Sequence, residues 1–364
     1  MTRRRVVVLF GGRSVEREVS RLSARAIVGA LDPEKYDVVP MAVGPDGRFL
    51  TAADSARLLA AGPVPERYRV GGAAEAAGGL VPAEIAPGRA DVVFPIIHGT
   101  TGEDGVLQGF LETLGLPYVG AGVTGSAVGM DKAVFKALLR DAGIATPRSL
   151  CLAFPLAANQ AAGLRARLAE RGISLPAFVK PACGGSSVGV TKVKSWETLV
   201  PAVELAGRYD DRILIEEGID ARELECAVLG DGEARASVVG EIVPGREFYD
   251  YDDKYVEDRA KLVVPADLSE AQAAEVRRLA LEAFRLAGIS GMARVDFFLE
   301  RGSGRILVNE LNTLPGFTAI SMYPRLWAAT ALPLPELLDE LIRIALERHA
   351  RRARLLHEPP RSLK

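Results

Sequence analysis

Polar residues that suit a metal ion lie on two consecutive predicted strands late in the chain. Arg294-Val-Asp296 is on the first strand and Asn309-Glu310-Leu-Asn312 is on the second. Because side chains alternate along a strand, Glu310 and Asn312 share one face, and with Asp296 they offer three hard oxygen ligands of the kind that Mg²⁺ uses. A solvated polar face is the alternative, but the flanking residues are apolar, and unpaired carboxylates in a core are costly. The pattern therefore predicts a Mg²⁺ site, with Arg294 placed to neutralise charge on a transferred phosphoryl group.

A glycine-rich segment, residues 184–189, lies between two predicted strands. Glycines permit close backbone approach, so successive N–H groups and the hydroxyls of Ser186 and Ser187 can surround phosphates. Lys180 ends the apolar strand before this segment, and a lysine that enters a buried site needs an anionic partner. A hairpin loop without a ligand is the alternative, and Lys180 favours phosphate binding.

Two common nucleotide motifs do not occur in the sequence. The segment 11–14, Gly-Gly-Arg-Ser, follows a predicted strand but lacks the spacing of a dinucleotide site, and there is no P-loop motif. Another predicted strand ends in Glu216-Glu217-Gly-Ile219. Its exposed backbone and acidic side chain could bind the edge of an adenine ring, and Glu223 could accept hydrogen bonds from ribose hydroxyls. A bare surface turn would look the same, so both interpretations stay open at this point.

The composition is that of an ordinary globular protein. The chain has 364 residues, 48% of them hydrophobic and 25% charged, with a net charge of −2. This small net charge gives no electrostatic reason to expect nucleic acid or an anionic membrane as a partner. Cys151, Cys183 and Cys226 have neither metal-type spacing nor a disulfide pattern, which favours a reducing compartment. The apolar run 6–10 is too short for a signal peptide or a membrane span, so we expect a cytoplasmic protein of two or three domains.

Strands and helices alternate in the first part of the chain. Predicted strands at 6–10, 36–43 and 91–97, with a helix at 19–31, indicate an open, mostly parallel α/β sheet over roughly the first 120 residues. Residues 52–88, rich in Ala, Gly and Pro, are predicted to be a peripheral insertion.

The later elements predict two α+β regions. The predicted helices are 132–142, 269–287 and 334–349, and the predicted strands are 177–181, 190–193, 212–216, 223–230, 291–299 and 305–311.

Together these residues resemble an ATP-grasp fold, and five segments resemble the D-alanine–D-alanine ligase family. The segments are Gly11-Gly-Arg-Ser-Val-Glu-Arg-Glu-Val-Ser20, His98-Gly-Thr-Thr-Gly-Glu-Asp-Gly105, Phe248-Tyr-Asp-Tyr-Asp-Asp-Lys-Tyr255, Arg294-Val-Asp296 and Asn309-Glu-Leu-Asn-Thr-Leu-Pro-Gly-Phe-Thr318. They occur in the family's order and cover nearly the whole chain, apart from 52–88 and the tail after about 349. The resemblance implies an α/β substrate-binding domain at 1–122, a central ATP-grasp subdomain at 123–222, and a C-terminal subdomain with lid and metal site at 223–364.

The resemblance also implies how the first D-alanine is held. Glu16 would bind its ammonium group beside His98, so that the reacting carboxylate points toward ATP. Glu18 is a rival for this role, although its position suits the surface of the helix. The family often has His where this chain has Arg17.

The same resemblance assigns the remaining roles. Arg294 and the N–H of Gly316 would stabilise the tetrahedral intermediate, and Ser321 would bind the carboxylate of the second D-alanine. Gly316 as a turn residue and Ser321 as a helix N-cap are the structural alternatives. The implied nucleotide-binding residues are Lys132, Lys180, Ser187, Glu216, Glu217, Ile219, Glu223, Phe248 and Lys254, and Lys254 is also implied to contact the transferred group.

Residues 248–255, dense in aromatic and acidic side chains, would form a lid in this family. Tyr255 would hydrogen-bond toward Glu16 and Ser186, and closure would exclude water from an acyl phosphate that hydrolyses readily. Family members that use D-lactate usually depart from tyrosine here, so Tyr255 favours an amino nucleophile.

The implied activity is ATP-dependent formation of D-alanyl-D-alanine for peptidoglycan precursors. ATP and Mg²⁺ or Mn²⁺, with two ions bound, would be the cofactors, and a homodimer is expected. Three alternatives remain. One is a D-alanine–D-serine or D-alanine–D-lactate ligase of the same fold. Another is an acid–ammonia or biotin-carboxylating ATP-grasp enzyme, which would not explain Glu16, His98 and the lid together. The last is a non-catalytic sensor of ATP and D-alanine, which would be free to lose its metal ligands.

Overall fold

A computed structural model describes residues 3–61, 81–245 and 261–356. The first sheet contains β1 (Arg4–Gly11), β2 (Tyr36–Val43) and β3 (Val92–Pro95), all parallel, in the order β2-β1-β3. Alternate residues of β1 enter two separate apolar cores, Val6 and Val8 on one face and Val7 and Leu9 on the other. A parallel strand that is covered on both faces has a continuous run of apolar residues. This is why the strand at residues 6–10 could be predicted from the sequence. The predicted parallel α/β sheet is confirmed.

Helices pack against this sheet, and one of them corrects a prediction. Helix α1 spans Arg17–Ala30, as expected. Helix α2 spans Ala52–Ala60, inside the segment predicted to be peripheral. Leu58 and Leu59 of α2 are core residues, and Ser55 accepts a hydrogen bond from the backbone of β2. The peripheral prediction is therefore wrong for the start of that segment, while 62–80 lie outside the described residues.

Three short helices lead from the first sheet to the second: α3 (Val106–Thr113), α4 (Val123–Met130) and α5 (Lys132–Asp141). Asp131 ends α4 and caps α5, because its side chain accepts hydrogen bonds from the backbone of Ala133 and Val134. Phe135 on α5 packs into the core beneath the third sheet.

The second sheet is antiparallel, in the order β4-β7-β5-β6. Its strands are β4 (Ser149–Ala153), β5 (Ala177–Pro181), β6 (Thr191–Val193) and β7 (Arg212–Glu217). Helices α6 (Ala158–Glu170) and α7 (Leu199–Ala206) bury apolar residues in the core of this sheet. The predicted hairpin around the glycine-rich segment is confirmed, because β5 pairs directly with β6.

The third sheet is also antiparallel, in the order β10-β9-β8-β11-β12. Its strands are β8 (Ala221–Asp231), β9 (Glu233–Val243), β10 (Lys261–Val263), β11 (Gly291–Glu300) and β12 (Ile306–Asn312). Helices α8 (Glu270–Leu286), α9 (Met322–Ala329) and α10 (Leu334–Arg352) complete the fold. In the described part of the chain, no helix has the length and apolarity needed to cross a membrane.

A buried arginine connects the first and last parts of the chain. Arg348 on α10 donates hydrogen bonds to the carbonyl oxygens of Gly120 at 2.5 Å and Tyr118 at 2.7 Å, and to the hydroxyl of Ser290 at 2.8 Å. These bonds fix α10 beneath the end of the first sheet. The domain boundaries at 122 and 222 stay predictions.

Gly11 provides a test of how β1 ends. Its φ is +94°, and a Cβ there would overlap the carbonyl oxygen of Val43. We expect Gly11→Ala to lower the free energy of unfolding by about 2 kcal/mol or more, because the strain of the positive φ and the steric overlap with Val43 both destabilise the folded protein. Gly29→Ala is the matched control, since a Cβ at Gly29 on α1 meets no atom within 4 Å and alanine favours a helix. Equal stability of the two variants in urea unfolding would contradict this account.

Candidate active site

A cleft of about 900 Å³ lies between the second and third sheets, with residues that follow β1 and β3 at one end. It gathers most of the site residues predicted from sequence. The predicted residues that line it are Glu16, His98, Lys132, Lys180, Ser186, Ser187, Glu216, Glu217, Ile219, Glu223, Arg294, Asp296, Glu310, Asn312, Gly316 and Ser321. Phe248, Lys254 and Tyr255, with the predicted lid, lie outside the described residues.

Three carboxylates form a row across neighbouring strands of the third sheet. Asp296 on β11 is opposite Glu310 on β12 and opposite Glu225 on β8. Arg294 donates two hydrogen bonds to Asp296, both 2.7 Å, and its Nε lies 3.1 Å from Glu225. Burial lowers the pKa of Arg294, but Asp296 and Glu225 outweigh burial and hold that pKa above its usual value. The guanidinium therefore stays charged inside the cleft.

The predicted metal ligands are together on this face. Asn312 is opposite Arg294 in the strand register, two pairs beyond Asp296 and Glu310, and its Oδ1 accepts a hydrogen bond from the backbone of Leu314. In the three described ranges, no group of three or more His, Cys, Asp or Glu side chains is arranged to hold a metal ion. The predicted set differs because its third member is an amide. Two carboxylates and an amide oxygen on adjacent strands fit the hard-oxygen chemistry of Mg²⁺.

Lysines line the opposite side of the cleft. Lys180, the residue before the end of β5, lies 2.5 Å from Glu216, which supplies the anionic partner expected for a buried lysine. Burial lowers the pKa of Lys180, but Glu216 and Glu310 outweigh it, so the net change is upward. Lys132, the first residue of α5, donates a hydrogen bond to the carbonyl of Gly184 at 2.6 Å and lies 3.7 Å from Glu310.

The glycine-rich loop adopts a strained backbone conformation. Ser186 and Ser187 have φ of 51° and 59°, in the left-handed region that serine rarely adopts. Such strain persists where surrounding contacts fix it, and functional loops often contain it. The hydroxyl of Ser186 donates a hydrogen bond to Glu16, and a Cβ at Gly185 would lie 2.9 Å from the same carboxylate. The loop thus closes against the start of α1.

Glu16 and His98 are placed by the ends of two parallel strands. Ser14 connects them, because its hydroxyl donates to the carbonyl of His98 at 2.7 Å and accepts from the N–H of Glu16 at 3.1 Å. The buried His98 ring lies 3.2 Å from Glu103. Burial lowers the pKa of His98, but Glu103 and Glu16 outweigh it and raise the pKa. Glu18, the rival of Glu16, bonds to Arg21 along α1 and is not among the residues that line the cleft.

The Gly316 turn is fixed from two sides. Ser23 on α1 accepts a hydrogen bond from the N–H of Phe317 at 3.1 Å. Ser321 occupies the N-cap position of α9, but its side chain makes no capping bond and accepts from the N–H of Thr318 at 3.0 Å instead. The simple capping explanation of Ser321 therefore fails. A Cβ at Gly316 would lie 2.7 Å from the Ser321 hydroxyl, so a larger residue there would displace that side chain.

The acids at the end of β7 have different surroundings. Glu217 is bound by Arg148, which donates from its backbone at 2.8 Å and from Nε at 2.7 Å. Glu216 is buried between Lys180 and a second lysine, Lys136, at 2.9 Å. Both carboxylates already have protein partners, so an adenine edge would meet the backbone of this segment.

Sequence reasoning missed several partners of the predicted residues: Ser14, Ser23, Glu103, Lys136 and Glu225. Lys136 had a readable signal, because it is four residues after Lys132 on the same predicted helix. Glu225 had none, because its place beside Asp296 depends on the register of β8 against β11.

Comparisons with known proteins identify the family of the chain. The family models D-ala D-ala ligase N-terminus and C-terminus match residues 5–121 and 138–343. A D-alanine–D-alanine ligase of Solibacter usitatus is 44% identical over 95% of this chain and 96% of that protein. The corresponding protein of Ruminiclostridium cellulolyticum is 42% identical over 96% of this chain and 97% of that one.

Solved structures share the fold of this chain. The D-alanine–D-alanine ligase from Coxiella burnetii has a TM-score of 0.84 and 40% identity, with 97% of each chain covered. The VanG D-Ala:D-Ser ligase from Enterococcus faecalis has a TM-score of 0.78 and 32% identity, with 94% of this chain and 100% of that one covered. Fold and cleft together are those of an ATP-grasp protein. The chain belongs to the D-alanine–D-alanine ligase family.

The raised pKa of His98 depends on Glu103 and can be measured. We expect Glu103→Gln to lower the pKa of His98, because burial alone favours the neutral ring. The measurement is an NMR titration of the imidazole signals, with His98→Gln for assignment. Glu112→Gln, on α3 and hydrogen-bonded to Tyr118, is the control and should leave His98 unchanged. An unchanged pKa in Glu103→Gln would contradict the assigned cause.

Proposed function

We propose that this chain joins two D-alanine molecules through a D-alanyl phosphate intermediate, with conversion of ATP to ADP and phosphate. The observation that supports this most strongly is the contact of Glu16 with Ser186. This contact places the carboxylate that would bind the ammonium group next to the glycine-rich loop that would bind phosphates. One D-alanine could therefore contact Glu16 at one end and the nucleotide phosphates at the other. We extend the proposal to peptidoglycan precursor synthesis in the cytoplasm.

In the first step, the carboxylate of one D-alanine attacks the γ-phosphorus of ATP, and ADP leaves. Glu16, with the buried His98 beside it, would hold the ammonium group and direct the carboxylate toward the nucleotide. Lys132 and Lys180 would contact the phosphates together with Ser187 and the N–H groups of the glycine-rich loop. Ile219 and the backbone of Glu216 and Glu217 would meet the adenine, and Glu223 the ribose.

Asp296, Glu310 and Asn312 would hold Mg²⁺ or Mn²⁺, which supplies charge neutralisation between the phosphates when bound. We propose two ions, as the family resemblance implies. Phe248, Lys254 and Tyr255 would close over the nucleotide and the acyl phosphate, which is their role in the family. A homodimer is also part of this proposal.

In the second step, the deprotonated amine of the other D-alanine attacks the acyl carbon. An amide bond forms, and the bond to phosphate breaks. Arg294 and the N–H of Gly316 would stabilise the negative oxygen of the tetrahedral intermediate. Ser321 would bind the carboxylate of the incoming D-alanine, since its side chain is turned toward the Gly316 turn rather than capping α9.

The choice of second substrate has one close alternative. A D-Ala:D-Ser ligase shares the fold at 32% identity, whereas relatives named for D-alanine reach 44%. Tyr255 favours an amine over the hydroxyl of D-lactate, and D-serine also has an amine. We propose D-alanine as the second substrate because the relatives named for D-alanine have the higher sequence identity to this chain.

Product analysis tests the proposal. We expect purified protein with MgATP and D-alanine alone to release phosphate and D-alanyl-D-alanine in equal amounts. Parallel reactions contain D-serine or D-lactate in addition, and products are identified by mass. Phosphate release that requires D-serine or D-lactate would overturn D-alanine as the second substrate. ATP binding without turnover in every mixture would overturn the ligase and favour a sensor.

Arg294 is the residue whose loss should separate chemistry from binding. We expect Arg294→Ala to lower kcat by about 100-fold or more, because a donor to the developing negative charge is lost, while ATP binding is largely retained. Arg294→Lys keeps the charge but not the paired geometry and should be intermediate. Arg278→Ala is the control, since Arg278 pairs with Glu275 and Glu282 on the exposed face of α8. Near-normal turnover of Arg294→Ala would remove Arg294 from the mechanism.

A further inference from the structure

Lys136 is a fully buried lysine behind the cleft, held by two hydrogen bonds and one ion pair. Its ammonium nitrogen lies 2.9 Å from Glu216, 2.9 Å from the carbonyl oxygen of Asn309 and 3.1 Å from the hydroxyl of Thr146. Asn309 and Thr146 accept hydrogen bonds from the ammonium, and Glu216 is its ion-pair partner. The three partners come from β7, from β12 and from the segment before β4. Lys136 therefore connects the two sheets that enclose the cleft.

Glu216 is shared between Lys136 and Lys180. One carboxylate oxygen lies 2.9 Å from Lys136, and the other lies 2.5 Å from Lys180. Burial raises the pKa of Glu216, but the two lysines outweigh burial and lower it, so the carboxylate is charged. Two positive charges and one negative charge leave the group with a net positive charge. Lys180 and Glu216 line the cleft, whereas Lys136 is not among its lining residues.

Lys180 with Glu216 alone would be a neutral ion pair. Such a pair offers little attraction to an incoming phosphate, because the carboxylate cancels the ammonium. The second lysine restores the positive charge without occupying space in the cleft. Burial lowers the pKa of Lys136 to about 8, against the opposing effect of Glu216, so this buried charge is costly to maintain. A side chain needed only for packing would be apolar.

We propose that Lys136 is a positioning residue for nucleotide binding: it binds one oxygen of Glu216 so that Lys180, held by the other oxygen, presents a net positive charge to the phosphates. This inference rests on the proposed function only in identifying the anion as a nucleotide phosphate. Lys136 acts through Glu216 and does not itself contact substrate.

The test measures ADP binding by calorimetry in MgCl₂, on the full chain. We expect Lys136→Met and Lys136→Gln to weaken ADP binding by about 30-fold or more, because one partner of a buried charge pair is lost. The KM for ATP should rise in parallel, with the KM for D-alanine within about twofold of the unmodified protein. Thr146→Val is the matched control: it removes one contact of the same ammonium without changing charge, and ADP binding should stay within about threefold.

A double variant separates positioning from packing. If Lys136 acts through Glu216, then Lys136→Met should change ADP binding far less in a Glu216→Gln background than in the unmodified protein. Equal effects of Lys136→Met in both backgrounds, or unchanged ADP binding in both single variants of Lys136, would overturn the inference. Urea unfolding of each variant shows whether it is folded. ADP binding does not require turnover, so failure of the ligase proposal in the product assay would be distinguishable from failure here.

Discussion

Buried charges around the cleft must be balanced by protein groups, and this constraint determines much of the site. On one side, Arg294 lies between Asp296 and Glu225. On the other side, Glu216 lies between Lys136 and Lys180. The charged side chains of each group lose contact with water, and their interactions with one another compensate for that loss. Removing one member would therefore leave a buried charge unpaired. The group around Glu216 and the group around Arg294 therefore fix the positions of side chains on opposite sides of the cleft.

The sheets explain how these groups come together. Glu225, Asp296 and Glu310 are adjacent only because β8, β11 and β12 pair in a particular register. Lys180 and Glu216 are adjacent because β5 and β7 pair in the second sheet. The first domain adds Glu16 through the contact with Ser186. Three separate parts of the chain thus contribute to one cleft, which suits the proposed reaction, in which a nucleotide and two amino acids must meet.

Local patterns were sufficient to predict the elements with strong periodicity. Tyr36–Val43 and Ala177–Pro181 have the predicted bounds, and Ser269 caps α8 where the sequence placed its start. Helix α2 was missed because only Leu58 and Leu59 of its buried face are large and apolar, while the buried residues one turn earlier are Asp54 and Ser55. Among predicted site residues, those in motifs, including Asp296 and Glu310, line the cleft.

Partners distant in sequence were not recognisable. Arg148 binds Glu217 and Ser23 supports the Gly316 turn, and neither pairing leaves a local pattern. Such pairings depend on tertiary structure, where side chains from remote elements satisfy each other's polar atoms.

The transfer of a carboxylate oxygen to phosphate tests the central claim most directly. D-alanine labelled with ¹⁸O in its carboxylate would be supplied with unlabelled MgATP, and the released phosphate analysed by mass. The account predicts one ¹⁸O atom in each phosphate from fully labelled D-alanine, because the carboxylate oxygen that attacks phosphorus leaves with it. Unlabelled phosphate, released together with dipeptide, would contradict an acyl phosphate intermediate.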